Sequence, residues 1–414
     1  MRNHLLILLP KNKEQRPFFY SVVIIWFSSL LFFLFTGGKL AFMLFTIVTI
    51  LSVYLISLEK WSGIMEIKGE RIIDQEGMSD NGRLETGDTI QVKMEYLLPG
   101  FWPLTHVFVK DSLHHHQLGV TTHESSFVPN SYRKGDITYS VKVQRGAYVF
   151  GTTECTTSDV FQLQEHKSVM DLSAAFRVFP KTIPISYWED VHTVERAAHQ
   201  LSSSLHYQRE TTQIDGVREY VHGDRLSHIH WNATAKTGEL KSKEFEREAR
   251  RKTVVILDRH IHSYSDDNHF ELAVSVCASL ITYMIRKQKP VGLHCYENYI
   301  EPSVGKKHHY RLEEHLLHVY RDGKMPIYQL INNRRKLVPG TVIAVVTPVA
   351  SEALYHQLRF LKHMNLQPCH FFIGKQRKQG FQKWERSLAE EGINVYSVST
   401  LDDLRAVLGG KLHE

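Results

Sequence analysis

A carboxylate and two imidazoles alternate directly after one of the most apolar runs of the chain. The run Thr253–Asp258 (TVVILD) ends on the carboxylate, and His260 and His262 follow it. Carboxylate oxygens and imidazole nitrogens are ligands of zinc and other transition metals. Further candidate ligands lie elsewhere in the chain: His114, His115, His116, His228 and His230. The spacing is not that of a closed zinc site, and H-x-H pairs arise readily in a chain with 25 histidines. We keep a metal-dependent hydrolase using Asp258, His260 and His262 as the alternative function.

A second stretch, just upstream, is unusually polar and aromatic at once. Gly223-Asp224 has the composition of a turn, since glycine tolerates positive φ and aspartate bonds nearby backbone amides. Trp231 is large and amphipathic, which suits it to filling a seam between two domains. In that interpretation, Asp224 pairs with Arg218 or Arg225. In the other, the stretch is a docking surface for a partner protein, because Trp and Arg are common at interface hot spots.

Composition excludes several classes of protein. Fifty Lys and Arg against 44 Asp and Glu give a net charge of +6 over 414 residues, short of the basic stripe that nucleic-acid binding needs. With 43% hydrophobic and 23% charged residues, the chain is not intrinsically disordered. The four cysteines, which are far apart and form no C-x-x-C pair, predict neither a zinc ribbon nor a disulfide framework: Cys155, Cys277, Cys295 and Cys369.

Motifs for nucleotide or covalent chemistry are missing from the sequence. No G-x-G-x-x-G follows the first strand of the C-terminal part, and no G-x-x-x-x-G-K-[ST] occurs. We find no Ser/His/Asp or Cys/His arrangement with supporting motif context, and no paired-carboxylate motif. We therefore expect no catalytic residues and no cofactor.

Two apolar stretches near the N-terminus predict a membrane hairpin. Phe18–Thr36 and Leu40–Leu58 are free of Asp, Glu, Lys and Arg, and each is about one hydrocarbon thickness long as a helix. Only Gly37, Gly38 and Lys39 separate them, so the helices must be antiparallel. The basic residues lie mostly outside the turn: Arg2, Lys11, Lys13 and Arg16 before the hairpin, and Lys60, Lys68 and Arg71 after it. This bias predicts that both ends face the cytoplasm.

In the rest of the chain, the spacing of apolar residues changes once. From about residue 64 to 180 apolar residues alternate with polar ones, as in Asp88–Leu97 and Ile137–Val143, which predicts half-buried antiparallel strands. After Arg251, apolar strands alternate with amphipathic helices, which predicts a doubly wound parallel sheet. The predicted strands are Thr253–Asp258, Val291–Tyr296, Thr341–Thr347, Cys369–Ile373 and Ile393–Val398. The basic run Gly305–His309 is expected to be a solvated loop.

The polar and aromatic stretch carries a recognisable pattern. It contains an R-x-Y, then G-D, then I-x-W and S/T-A-[RK], on Arg218, Tyr220, Gly223, Asp224, Arg225, Ile229, His230, Trp231, Ala235, Leu240 and Phe245. This pattern resembles the signature of the family catalogued as domain of unknown function 58. Upstream, Arg145–Tyr148 and Asp159–Phe161 resemble the family's R-G-x-Y and D-P-F-G, although Val160 and Gln162 depart from the Pro and Gly. Phe176–Pro180 resembles its strand ending in Tyr-Pro, and Thr253–Asp258 resembles the first strand of its von Willebrand factor A-like domain.

The resemblance implies a fold, a partner and a lost metal site. It implies a partnership with a MoxR-type AAA+ ATPase, and often with a transglutaminase-like membrane protein. Von Willebrand factor A domains that bind magnesium use Asp-x-Ser-x-Ser, whereas here His260 and His262 replace both hydroxyls and Arg259 adds a positive charge. We therefore expect a degenerate site without magnesium.

These observations combine into one expected organisation. It comprises a cytoplasmic tail (1–16), a transmembrane hairpin (17–60), an all-β Ig-like sandwich (61–180), a connecting region with the motif (181–250) and a von Willebrand factor A-like α/β domain (251–414). We expect a non-enzymatic adaptor, anchored in the cell membrane and facing the cytoplasm, that binds a protein partner and no nucleic acid. Its docking or interdomain residues are expected to be Arg218, Tyr220, Gly223, Asp224, Arg225, Ile229 and Trp231.

Overall fold

The computed structural model divides the chain into two compact units between Phe179 and Pro180. It describes residues 16–61, 63–74, 82–100, 104, 106–158, 165–196, 214–222, 226–245, 252–332, 339–374 and 379–409. The motif residues Gly223, Asp224 and Arg225, and the D-P-F-G-like segment 159–162, lie outside the described residues.

The first unit begins with the predicted hairpin, which is confirmed. Helix α1 (Arg16–Thr36) and helix α2 (Gly38–Trp61) are joined at Gly37 and Gly38, whose φ angles of 61° and 87° let the chain reverse. The Trp26 indole N–H donates to Thr49 Oγ1 at 3.1 Å across the two helices. Both helices are long and apolar enough to cross a membrane.

Among the described residues of this unit, nine strands follow in two antiparallel sheets. Strands β1 (Lys68–Asp74), β2 (Thr89–Leu97) and β5 (Lys134–Lys142) form a three-stranded sheet in the order β1-β2-β5. The second sheet has the order β8-β7-β3-β6-β9, and β4 pairs with β3. Its members are β3 (Val107–His115), β4 (Gly119–Phe127), β6 (Gly146–Phe150), β7 (Thr153–Ser158), β8 (Glu165–Met170) and β9 (Ala175–Val178).

Alternation along each strand builds the core of this unit. In β2, Ile90, Val92, Met94 and Tyr96 are buried while their neighbours face outward, as the period-two pattern predicts. A buried ion pair joins the two sheets, since Arg71 Nη2 in β1 lies 2.6 Å from Asp111 Oδ1 in β3. Burying a charge is costly unless it is paired and hydrogen-bonded, so these two residues are mutually dependent.

The second unit contains a six-stranded sheet. Its order is β14-β13-β12-β15-β16-β17, parallel except for the antiparallel edge strand β14. The strands are β12 (Thr253–Leu257), β13 (Val291–Cys295), β14 (Asn298–Ser303), β15 (Val342–Thr347), β16 (Gln367–Ile373) and β17 (Asn394–Val398). The doubly wound sheet that the apolar runs predict is present, with β14 added at its edge.

Helices cover both faces of this sheet. Val255 and Leu257 of β12 face a core formed with helices α4 (Asp267–Arg286), α5 (Lys306–Leu317) and α9 (Leu401–Leu408). Val254 and Ile256 face a second core formed with α6 (Ile327–Asn332), α7 (Glu352–His363) and α8 (Gln379–Glu390). Helix α4 is also long and apolar enough to cross a membrane, but 67% of it is buried within the protein. Its apolar composition is therefore explained by the core that it fills.

One local prediction is wrong. The run Gly305–His309 is not a loop, because α5 begins at Lys306 with Gly305 as its N-cap. The apolar residues that make this segment a helix lie further along it, where Leu312, Leu316 and Leu317 are buried. Their spacing places them on one face, and burial of that face overrides the polarity of the first turn.

The polar and aromatic stretch folds into a small hairpin, here called the motif hairpin. Strand β10 (Ile214–Glu219) pairs antiparallel with β11 (Lys241–Phe245), and a 3-10 turn (Leu226–His228) and helix α3 (Trp231–Thr237) lie between them in sequence. The two strands form a sheet of their own.

Candidate functional site

Asp258 lies at the point of the second unit where ligands bind in doubly wound sheets. From β12 the chain crosses to β13 on one side of the sheet, while β15 pairs with β12 on the other. The crevice beyond the carboxyl ends of such strands is the topological switch point. Asp258 directly follows β12, and Thr347 is the last residue of β15.

Both oxygens of the Asp258 carboxylate accept hydrogen bonds from the protein. Oδ1 accepts from the backbone N–H of His260 at 2.9 Å, and Oδ2 accepts from the Thr347 hydroxyl at 2.7 Å. Asp258 is only 1% exposed, and this burial raises the pKa of its carboxyl above the ordinary value. The carboxylate is therefore enclosed and engaged, rather than open to solvent.

A chain of buried polar groups continues from Thr347. The backbone carbonyl of Thr347 accepts from His370 Nε2 at 3.3 Å, and the Trp384 indole N–H donates to His370 Nδ1 at 3.1 Å. This arrangement fits a neutral ring with its proton on Nε2. Burial lowers the pKa of His370 to about 4. His370 thus supports the loop that holds Asp258.

The two histidines of the predicted cluster lie beside Asp258. Their ring centroids are 5.5 Å apart, and Ser263 Oγ is 3.5 Å from His260 Nδ1. Arg259, between Asp258 and His260, pairs with Asp322 and donates from Nε to the Tyr320 carbonyl at 3.0 Å. Within the described residues, no group of three or more His, Cys, Asp and Glu side chains is placed to hold a metal ion.

The other candidate histidines have local contacts. His115 is buried in the first unit, where Nδ1 accepts from the N–H of Leu118 at 2.9 Å and Nε2 is 3.2 Å from the Arg145 carbonyl. His114 and His116 are its chain neighbours. His230 caps α3, because its Nδ1 accepts from the N–H of Ala233 at 3.1 Å. His228 ends the 3-10 turn before it.

The motif hairpin places the recognisable residues on its two strands and its short helix. Arg218 in β10 is opposite Ser242 in β11, and its guanidinium donates to the Glu219 carbonyl at 3.1 Å. The N–H of Tyr220 donates to the Leu240 carbonyl at 3.0 Å.

Ile229 is the buried residue of the motif. It is 2% exposed and forms a bridge to Ser242. The pairing expected between Asp224 and Arg218 or Arg225 falls on residues outside the described part.

Trp231 is the first residue of α3 and is 65% exposed. Four further apolar side chains of the motif hairpin are exposed with it: Val217, Val221, Leu226 and Leu240. We refer to these five residues as the motif's apolar set. The sequence pattern includes Trp231 and Leu240 but not Val217, Val221 and Leu226, although apolar residues within an otherwise polar hairpin are a signal that could have identified them. Thr347 and His370 are likewise missed, because they are far from Asp258 in sequence.

Comparison with known proteins agrees with the motif. Residues 216–356 match the family model described as "Protein of unknown function DUF58". A relative in Bacillus subtilis (strain 168), the uncharacterized protein YeaD, is 25% identical over 276 residues, which cover 64% of this chain and 67% of that protein.

Two solved structures are also similar to parts of the chain. An aerotolerance-related membrane protein from Bacteroides fragilis matches 38% of this chain and 96% of its own, with 11% identity and a TM-score of 0.30. The sporulation control protein Spo0M of Bacillus subtilis matches 32% of this chain and 55% of its own, with 10% identity and a TM-score of 0.17. At such low TM-scores neither structure establishes a shared fold. The family match carries more weight: the resemblance that the R-x-Y, G-D and I-x-W motif predicts is confirmed by the match of residues 216–356 to the DUF58 family model.

Proposed function

We propose that this protein is a membrane-anchored adaptor whose motif hairpin docks a partner protein, and that it has no catalytic activity of its own. The observation that carries the proposal is the exposure of Trp231 together with the rest of the motif's apolar set. Trp is among the residues most often found at interface hot spots.

The small size of the motif hairpin supports this proposal. A two-stranded sheet is marginally stable in water unless it packs against something else. Among the described residues of the hairpin, burial is limited to Ile229 and Ser242, while the apolar set faces outward. A partner that covers Trp231 and Leu226 would stabilise the hairpin as it binds.

The partner that the family resemblance implies is a MoxR-type AAA+ ATPase, and often also a transglutaminase-like membrane protein. In this proposal the adaptor presents such a partner to an assembly or cell-envelope process at the membrane. The two helices α1 and α2 supply the anchor. Nucleic acid is not part of the proposal, because the charge excess is small.

We also propose that residues 61–180 form an Ig-like sandwich and that residues 251–414 form a von Willebrand factor A-like domain. Two antiparallel sheets with an alternating core support the first assignment. A doubly wound sheet with a buried aspartate at its switch point supports the second. The Asp258 oxygens already accept from His260 and Thr347, which favours a degenerate, metal-free version of that domain.

Affinity capture of the full-length protein in detergent, after cross-linking in cells, tests the docking role. We expect a MoxR-type AAA+ ATPase to be captured, and Trp231→Ala or Leu226→Ala to reduce its recovery about tenfold or more, as loss of a hot-spot residue does. Val407→Ala is a matched control, since Val407 is an exposed aliphatic residue on α9. Full capture by both motif variants would show that the hairpin is not the docking surface.

Metal analysis of the same full-length protein tests the alternative hydrolase. That alternative requires about one equivalent of metal, lost in His260→Ala, because each catalytic metal needs its protein ligands. The adaptor proposal expects metal well below one equivalent and no effect of His260→Ala. A stoichiometric ion that depends on His260 would overturn the metal-free proposal.

A further inference from the structure

A charged groove lies on the outward face of the three-stranded sheet in the first unit. It has a volume of about 610 Å³ and is lined by residues of β1, β2 and β5, together with Asn130. This volume lies within the roughly 300–1,000 Å³ typical of ligand sites. Six of its lining side chains are charged, so its chemistry suits a charged ligand.

The charges of the groove are sorted into two rows across the strands. In the first row, Lys68 is opposite Leu97, which is opposite Lys134. In the second row, Glu70 is opposite Glu95, which is opposite Asp136. Alternate residues of a strand share a face, so both rows face outward, about 7 Å apart along the strands.

Without a cation nearby, repulsion among the three carboxylates of the second row destabilises the sheet. Like charges directly opposite each other destabilise a sheet. Lys93 compensates one of them, because its Nζ lies 2.8 Å from Glu95 Oε1. Glu70 and Asp136 form no ion pair with another described residue. The row therefore offers a binding place for an ammonium group.

The groove lies close to the end of membrane helix α2. Helix α2 ends at Trp61, and the backbone of Gly63 packs against Pro99, where an added Cβ would lie 1.2 Å from the Pro99 carbonyl oxygen. Pro99 is two residues beyond Leu97, which places the lysine row within roughly 20 Å of the end of the membrane helix. Along both β1 and β2, the lysine row is closer than the carboxylate row to the contact between Gly63 and Pro99.

The loop between β4 and β5 supports contact with a bilayer at the same end. The backbone carbonyl of Arg133 in this loop accepts from the N–H of Leu98, next to Pro99. Tyr132 is 82% exposed, and Val128 is exposed as well. Tyrosine is typical of the membrane interface, where its ring enters the headgroup layer.

We propose that this groove binds the headgroup of an aminophospholipid such as phosphatidylethanolamine, with the phosphate at Lys68 and Lys134 and the ammonium at Glu70, Glu95 and Asp136. The lysine row, which is closer to the contact between Gly63 and Pro99, binds the phosphate, and the carboxylate row binds the amine. A primary ammonium donates hydrogen bonds to carboxylates, whereas the quaternary ammonium of phosphatidylcholine has no N–H to donate. Phosphatidylglycerol offers no cation at all. This inference is independent of the adaptor proposal.

Native mass spectrometry of the full-length protein tests the groove. Detergent-solubilised protein is mixed with equal amounts of phosphatidylethanolamine, phosphatidylcholine and phosphatidylglycerol. We expect phosphatidylethanolamine to be retained about tenfold better than either of the others, the effect of one charge-assisted contact. Equal retention of the three lipids would overturn the proposal.

Two double variants separate the rows. Lys68→Gln with Lys134→Gln should lower retention of phosphatidylethanolamine about tenfold or more, because it removes both phosphate contacts. Glu95→Gln with Asp136→Asn should move the preference from phosphatidylethanolamine toward phosphatidylglycerol. Retention unchanged by both variants would contradict the assignment.

Two controls complete the experiment. Lys110→Gln with Glu124→Gln removes an exposed ion pair of 3.3 Å between β3 and β4, away from the groove, and should leave lipid retention unchanged. Loss of retention in that variant as well would show a general charge effect and would overturn the site. Displacement of the lipid by an equal concentration of free phosphoethanolamine would overturn the lipid as the source of the headgroup.

Discussion

At the scale of single residues, the hydroxyl of Thr347 is bonded on both sides. It donates to Asp258 Oδ2 at 2.7 Å and accepts from the N–H of Val349 at 3.1 Å. Thr347→Val keeps the shape but leaves a buried carboxylate oxygen and an amide without partners. We expect the free energy of unfolding to fall by about 1–3 kcal/mol, measured by urea denaturation of the full chain. Thr347→Ser should retain most of the stability, and a Thr347→Val variant as stable as the parent would contradict this role.

The buried ring of His370 makes the stability of the folded protein depend on pH. Its ring is fully buried, and burial lowers its pKa to about 4. In the unfolded chain the ring takes up a proton near its ordinary pKa of about 6.5, so stability is lost progressively as the pH falls from about 6.5 to about 4. The expected loss is about 3 kcal/mol.

Urea denaturation at pH 7 and pH 4.5 measures this loss against His370→Gln, which cannot titrate. The variant should be less stable at pH 7 but should lose less stability between the two pH values. Burial raises the pKa of Asp258, which favours the folded state at low pH, but this contribution is common to both proteins and cancels in the comparison. Identical pH dependence of the two proteins would show that His370 is not buried and neutral.

At the scale of elements, apolar runs predict the second sheet well. The run Thr253–Asp258 contains β12, and the run Thr341–Thr347 contains β15. Long apolar runs succeed because a parallel strand covered on both faces has little freedom in composition. The start of α5 was missed because its buried face, at Leu312 and Leu316, begins beyond the basic turn.

The sequence identifies only some of the residues of the candidate site, for a similar reason. Asp258, His260 and His262 stand together in the chain, so their types and spacing identify them. Thr347 is 89 residues away from Asp258, and the two meet because Leu257 is in register with Val346 between parallel strands. Nothing local encodes that register, since it depends on how the intervening helices pack.

At the scale of elements, Gly63 also lies in the connection between membrane helix α2 and the sheets of the first unit. Its φ is +75°, and an added Cβ would collide with the Pro99 carbonyl oxygen. Gly63→Ala therefore combines left-handed strain of about 1–2 kcal/mol with a backbone clash. We expect a lower thermal midpoint in detergent and weaker retention of phosphatidylethanolamine. Gly37→Ala is the matched control, because Gly37 has a φ of +61° with nothing within 4 Å, and an equal effect of both variants would remove the role assigned to the Pro99 contact.

At the scale of the whole molecule, the adaptor proposal requires the motif hairpin to lie on the same side of the membrane as the cell's AAA+ ATPases. The lysine row follows α2 closely, and the motif hairpin lies in the second unit, further along the same chain. The sheets of the first unit and the whole of the second unit follow α2 in the chain, so one crossing decides the side of the membrane on which both lie. The orientation of the membrane hairpin therefore decides whether the adaptor proposal is possible.

Cysteine labelling in intact cells tests that orientation. Lys39 is the second residue of α2, next to the turn between the membrane helices, and Val407 lies on the exposed face of α9. The four cysteines are buried and should give little background: Cys155, Cys277, Cys295 and Cys369. Because basic residues flank the hairpin on both sides, we expect Lys39→Cys to react with a membrane-impermeant maleimide from outside, and Val407→Cys to react only after permeabilisation. The reverse pattern would place both units outside the cytoplasm, where the partner ATPase is absent, and would contradict the adaptor proposal. Labelling of neither residue before permeabilisation would contradict the hairpin's two crossings.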